Sequence, residues 1–290
     1  VQPHIVQCLQ LVTNLGDVFK QIERLLMYDR VIVIIALSAV IVASWAYVLA
    51  GAGTGMSTSK MTSWQMALGL SRSMAMPVAW TPQYAVVMFF MWWIMMIAMM
   101  LPSAAPMILL YAKVTRTSSD QASAHVSLLP VAFFTLGYVL AWAAFSAIAT
   151  ALQWAFESIG VLSPMMMNST NQLFAGLILL FAGLYQLTPL KQACLKHCRG
   201  PIGFLLQHWR PGTWGAFQMG ASHGAYCLGC CWGLMAILFF GGIMNLYWII
   251  GLALIVLLEK VLPVGPSLSY VTGGLLSIWG VSLIALSALG

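Results

Sequence analysis

Soft, nucleophilic and ionisable side chains gather in one apolar stretch, MGASHGAYCLGCCWGLM at residues 219–235. With about 100° of rotation per helical residue, His223 falls about 40° from Met219, Cys227 at about 80° and Cys230 at about 20°. Cys231 flanks them at about 120°. One helix face therefore offers a thioether, an imidazole and two thiols along ~16 Å of axis. Such donors suit Cu(I), zinc or another soft metal centre better than magnesium or calcium. A single buried Cys is ordinarily a small packing residue and a Met a gap-filler. A His inside an apolar run is different, because burying an ionisable group there is costly and points to function. His223, Cys227 and Cys230 are expected as primary ligands, with Met219 and Cys231 completing or relaying.

A second sulfur surface lies in MFFMWWIMMIAMMLPSAAPM (88–107), where Met88, Met91, Met95 and Met99 share one ridge. Met96, Met100 and Met107 form another about 100° away. Counted inward at ~1.5 Å per residue, both sulfur clusters reach the middle of a bilayer. Pro102 and Pro106 predict a kink or break in the same region, and broken helices line binding sites in transporters. A third group is CLKHC, whose Cys194, His197 and Cys198 fall on one face of a helical turn. It is expected as a cytoplasmic site where metal enters, although it lacks the fourth ligand of a closed zinc site. His4 and Cys8 repeat the four-residue spacing, and His125 and His208 stand alone. Glu259, beside Lys260 in IVLLEKVLPVG, is either an interfacial ion pair with a snorkelling Lys260 or a charge partner for a buried metal or His223.

These residues are set among long apolar runs. Charged residues make up 6% of the chain and hydrophobic ones 61%, with a mean hydropathy of +0.93. A soluble domain carries about 25% charged residues, so this composition cannot cover a water-facing surface. Continuous runs such as 31–50 fit the ~20 residues of a spanning helix, not the short alternating strands of a barrel. The expected architecture is all-α, with about seven spans near 31–50, 84–111, 127–153, 171–190, 215–242, 246–262 and 267–289. Residues 1–30 form an amphipathic interfacial helix ahead of this bundle, which occupies 31–290. Residues 51–83 and a basic stretch at 191–214 are expected as its larger loops.

The net charge of +6 sits at the ends of apolar runs and forms no stripe for nucleic acid. With the amino terminus inside, Lys20, Arg24, Arg30, Lys113, Arg116, Lys191, Lys196, Arg199, Arg210 and Lys260 fall on the cytoplasmic side. Only Lys60 and Arg72 fall outside, so ten of the twelve basic residues obey the positive-inside rule. A bacterial inner membrane, a cytoplasmic amino terminus and an outside carboxyl terminus follow as expectations. The chain carries no P-loop, dinucleotide fingerprint or haem-attachment motif, and few acids for hydrolase chemistry.

WWIMMIAMMLPSAAPM (92–107), YQLTPLKQACLKHC (185–198) and MGASHGAYCLGCCWGLMAILFFGGIMN (219–245), followed by Glu259–Lys260, resemble a bacterial family of predicted metal-binding integral membrane proteins. The resemblance covers most of the chain from Arg30 onward. It implies metal ligation by His223, Cys227, Cys230, Cys231 and the methionines of 95–107, among them Met95, Met96, Met99 and Met100. The expected function is binding of a soft metal, copper before zinc, within a helical bundle embedded in lipid. The bundle then either handles the metal or belongs to a membrane metalloenzyme. A membrane redox enzyme, and a metal-free structural subunit contacting other membrane proteins, are the alternatives.

Overall fold

The computed structural model describes residues 30–68, 79–117, 128–165 and 167–289. Among them all regular structure is helical apart from one isolated bridge between Leu162 and Ser169. The helices are α1 (Arg30–Leu49), α2 (Thr58–Met61), α3 (Trp64–Ala67), α4 (Pro82–Thr117), α5 (Leu129–Ser158) and α6 (Gln172–Gln186). They continue as α7 (Pro189–Arg199), α8 (Pro201–His208), α9 (Gly212–Ala236), α10 (Leu238–Gly241), α11 (Leu246–Val261) and α12 (Gly265–Leu289). The interfacial helix expected before Arg30, with His4 and Cys8, lies outside the described residues, as do Arg72 and His125.

Five helices are long and apolar enough to cross a membrane, or six if the bent pair α6–α7 counts as one span. They are compatible with membrane insertion. The remaining expected span coincides with α11, whose 16 residues fall just under the ~17–25 that a crossing needs. α4 is a single 36-residue helix, and Pro102 and Pro106 do not end it. Each proline removes one backbone donor, and in apolar surroundings neighbouring groups must satisfy what is freed. The carbonyls freed are those of Ala98 and Pro102, and between them Ser103 Oγ and the Tyr138 hydroxyl both donate to the Met100 carbonyl, at 2.8 and 3.1 Å.

The stretch 191–214, expected as a basic loop, is largely helical. Pro189 ends no structure: it opens α7, with Thr188 as the cap whose Oγ1 accepts from Lys191 N–H at 3.3 Å. A proline without a donor fits the first helical turn, where that donor has no partner anyway. α6 and α7 meet at 63° across this break, which folds α7 back against α9. At the other end of α9, Asn245 caps α11, and its Nδ2 donates to Ser63 and Gly241 carbonyls at 3.0 Å each. Trp248 Nε1 donates to the Ala67 carbonyl at 3.1 Å, so α2 and α3 are pinned onto the α10–α11 corner.

Two helix pairs approach backbone to backbone. A Cβ on Gly220 would collide with the Phe134 carbonyl and one on Gly137 with the Phe217 carbonyl, which brings α5 against α9. Gly176, Gly183, Gly273 and Gly280 do the same for α6 and α12. Small residues at such crossings replace the hydrophobic drive that is missing between helices in lipid. Gly220→Val is expected to destabilise the protein by at least the ~1–3 kcal/mol typical of overpacking. Gly251→Ala, at a helical position with open space around it, should leave the thermal unfolding midpoint in detergent as high or slightly higher. Equal midpoints for the two variants would refute close α5–α9 packing.

Candidate functional site

α9 is the helix on which the site is built. It emerges from Pro211 and buries Met219, His223, Cys227, Cys230 and Cys231 along its length. Its glycines set the spacing to the neighbours. Gly220 and Gly224 admit α5, and Gly229 lies under the Cys194 side chain of α7. Side chains from α4, α5, α7 and α11 therefore reach the α9 cysteines.

Each thiol of α9 also finds a neighbour on another helix. Cys230 Sγ lies 3.8 Å from Cys198 Sγ on α7. Cys231 Sγ lies 3.9 Å from Met100 Sδ on α4. Both of these thiols also donate to the Cys227 carbonyl, at 3.1 and 2.9 Å. Cys227 Sγ lies 3.2 Å from the Tyr138 hydroxyl on α5 and 3.0 Å from Lys260 Nζ on α11. Lys260 Nζ donates in addition to Ser103 Oγ at 2.9 Å. All five cysteines among the described residues are free thiols, and the three on α9 are buried. The result is a largely buried cluster of thiols and one thioether, with a phenol and an ammonium on its flank.

Soft sulfur donors of this kind prefer Cu(I) and related thiophilic ions. Two sulfurs that each hold one ion at ~2.3 Å can stand no more than ~4.6 Å apart. Cys198 with Cys230 and Cys231 with Met100 both fall inside that span. Among the described residues no three of His, Cys, Asp and Glu close on one point as metal ligands. His223, Cys227 and Cys230 share a face of α9, yet the structure does not assemble them into a three-ligand site. His223 sits a turn away in an aromatic surround, its ring centroid 5.8 Å from Tyr138, 5.4 Å from Phe204 and 6.3 Å from Phe134. Its Nδ1 is buried without a hydrogen-bond partner among the described residues.

The other expected residues divide in the same way. Met95, Met96, Met99 and Met100 are all buried, but among them only the Met100 sulfur meets a thiol in the hydrogen-bonding geometry. Met219 Sδ accepts from the Arg210 backbone N–H at 3.3 Å. The CLKHC residues do not converge. His197 stacks on Tyr226 with centroids 4.3 Å apart, Cys194 packs on Gly229, and Cys198 alone turns to the α9 thiols. Glu259 is no partner of Lys260 or His223: it forms a buried ion pair with Lys191 at 2.8 Å.

Lys260 and Tyr138 were absent from the expected site. For Lys260 a signal existed, since an ionisable residue inside an apolar run points to function. Snorkelling is ruled out by its 9% exposure. For Tyr138, one aromatic in an apolar helix carries no distinguishing pattern.

Residues 89–283, which take in every side chain of this cluster, match the model of the PpoB2 family, described as a copper chaperone. No curated protein matches the chain, and no solved structure does.

Proposed function

The chain belongs to the PpoB2 copper chaperone family, and from that premise we propose that it is a membrane-embedded carrier holding Cu(I) between Cys198 and Cys230. The observation that carries this reading is the 3.8 Å separation of their sulfurs across the α7–α9 contact. Cu(I) is satisfied by few, soft ligands, so a two-thiolate site leaves room for an incoming donor from an acceptor protein. Cys227, Cys231 and Met100 supply further sulfur nearby for exchange. Zinc in a structural site takes four ligands, which this pair alone does not provide.

The bundle spans a bacterial inner membrane seven times in this proposal, with α6–α7 as one bent crossing and α11 as a short one. A cytoplasmic amino terminus is proposed from the sequence bias of basic residues, as the positive-inside rule favours. Lys191 and Lys260 are buried and are withdrawn from that count, which leaves the bias in the same direction. Lipid is the surrounding partner, and the copper acceptor is another membrane or membrane-facing protein rather than a nucleic acid.

The test uses the thiol pair directly. Mild oxidation of the metal-free protein should link Cys198 to Cys230, because little movement separates their sulfurs from bonding distance. Prior loading with one equivalent of Cu(I) should block that link. Peptide mapping by mass spectrometry reads both results. Cross-links confined to other cysteines, or equal oxidation of loaded and metal-free protein, would refute the site.

A further inference from the structure

Lys260 presents a charge problem that the copper site can solve. Its ammonium is buried and, among the described residues, donates to Ser103 Oγ at 2.9 Å and Cys227 Sγ at 3.0 Å. Neither is a carboxylate. The chain has six acids, of which only Glu157 and Glu259 lie among the described residues. Glu259 is neutralised by Lys191. Glu157 is 19 residues beyond Tyr138 on α5, some 28 Å along the helix axis. Its carboxylate instead accepts from Trp80 Nε1 and Gln153 Nε2, at 2.8 Å each. Among the described residues, then, the thiol cluster and the Tyr138 phenol beside it are what can offset the Lys260 charge.

We infer that Lys260 is a specificity-determining residue that makes the thiol cluster selective for a monovalent soft cation over a divalent one. This rests on the copper-carrier reading above. Two thiolates around Cu(I) carry one net negative charge, which the ammonium balances. The same two thiolates around Zn(II) or Cd(II) are neutral, and Lys260 is then left as an uncompensated buried cation. Each such charge is costly in a low-dielectric interior. Cys227, which the ammonium touches, accepts at its carbonyl from Cys230, whose sulfur lies 3.8 Å from that of Cys198, so the charge stands beside the proposed ligand pair as well as Cys227. One unit of charge beside the cluster at an effective dielectric of ~20 corresponds to a discrimination on the order of 100-fold.

The experiment measures Cu(I) and Cd(II) affinities, each against a competing chelator, for the purified full chain and two variants. Lys260→Arg keeps the charge and should keep the preference for Cu(I). Lys260→Met removes it and should lower the Cu(I)-over-Cd(II) preference about 100-fold, mostly by improving Cd(II) binding relative to Cu(I). Helical content and unfolding midpoint of the metal-free variants establish that they fold. If Lys260→Met does not assemble, Lys260→Gln, which retains a donor for Ser103, is read in the same competition. An unchanged preference in the neutral variant, or equal loss of both metals, overturns the inference while leaving the Cys198–Cys230 carrier intact. A wild-type chain that binds no Cu(I) overturns both.

Discussion

Cys198→Ser and Cys230→Ser are each expected to weaken Cu(I) binding by more than ~100-fold, beyond the ~10–100-fold that loss of a supporting partner costs. Cys194→Ser should have little effect, although it sits on the same helix four residues away. Its side chain packs on Gly229 while that of Cys198 lies against Cys230. His223→Ala should also be mild, because the imidazole is surrounded by Phe134, Tyr138 and Phe204 rather than by thiols. The measurement is competition with a Cu(I) chelator on protein purified from membranes. If His223→Ala proves as damaging as Cys230→Ser, the ligands run along α9, as helical periodicity alone suggests, and α7 is not part of the site.

That contrast marks what one helix can reveal. The shared face of Met219, His223, Cys227 and Cys230 was legible because it depends only on the turn of an α-helix. The partner of each thiol was not, because it depends on another element. Cys198 and Cys230 are brought together by the 63° bend between α6 and α7, and Pro189 at that bend reads equally well as a helix end or a helix start. The long apolar helices α1, α4, α5, α9 and α12 lie close to where their composition puts them. α7 and α8 are the exceptions, since a basic, amphipathic segment looks like a loop unless the Thr188 cap is recognised. Glu259 and Lys260 illustrate a readable signal of another kind. Adjacent residues on a helix do not face one another, which counted against the ion pair expected between them. Accordingly Glu259 turns to Lys191 and Lys260 to Cys227.

The second large effect concerns that Glu259–Lys191 pair. Glu259→Gln is expected to destabilise the fold by about 3–5 kcal/mol, as happens when one partner of a buried ion pair is removed and the other is left uncompensated. The pair is tied to α6 as well: Gln186 donates to Glu259 Oε1 at 3.0 Å and accepts from Lys191 Nζ. Gln186 also donates to Thr272 Oγ1 on α12 at 3.0 Å, and Arg199 donates to the Glu259 carbonyl at 2.9 Å. This network holds α7 at its angle to α6 and against α11, and so fixes where Cys198 stands. Copper affinity should therefore fall with stability in Glu259→Gln. In the double variant Lys191→Met with Glu259→Leu, no charge is left unpaired, and replacing a buried pair by apolar groups is often neutral or better. That variant should regain most of the lost stability and, with α7 back in place, most of the copper affinity. Chemical unfolding followed by circular dichroism gives the first quantity and chelator competition the second. A double variant that is stable but still cannot hold Cu(I) would show Glu259 acting on the metal itself as a charge partner, not as an anchor of α7.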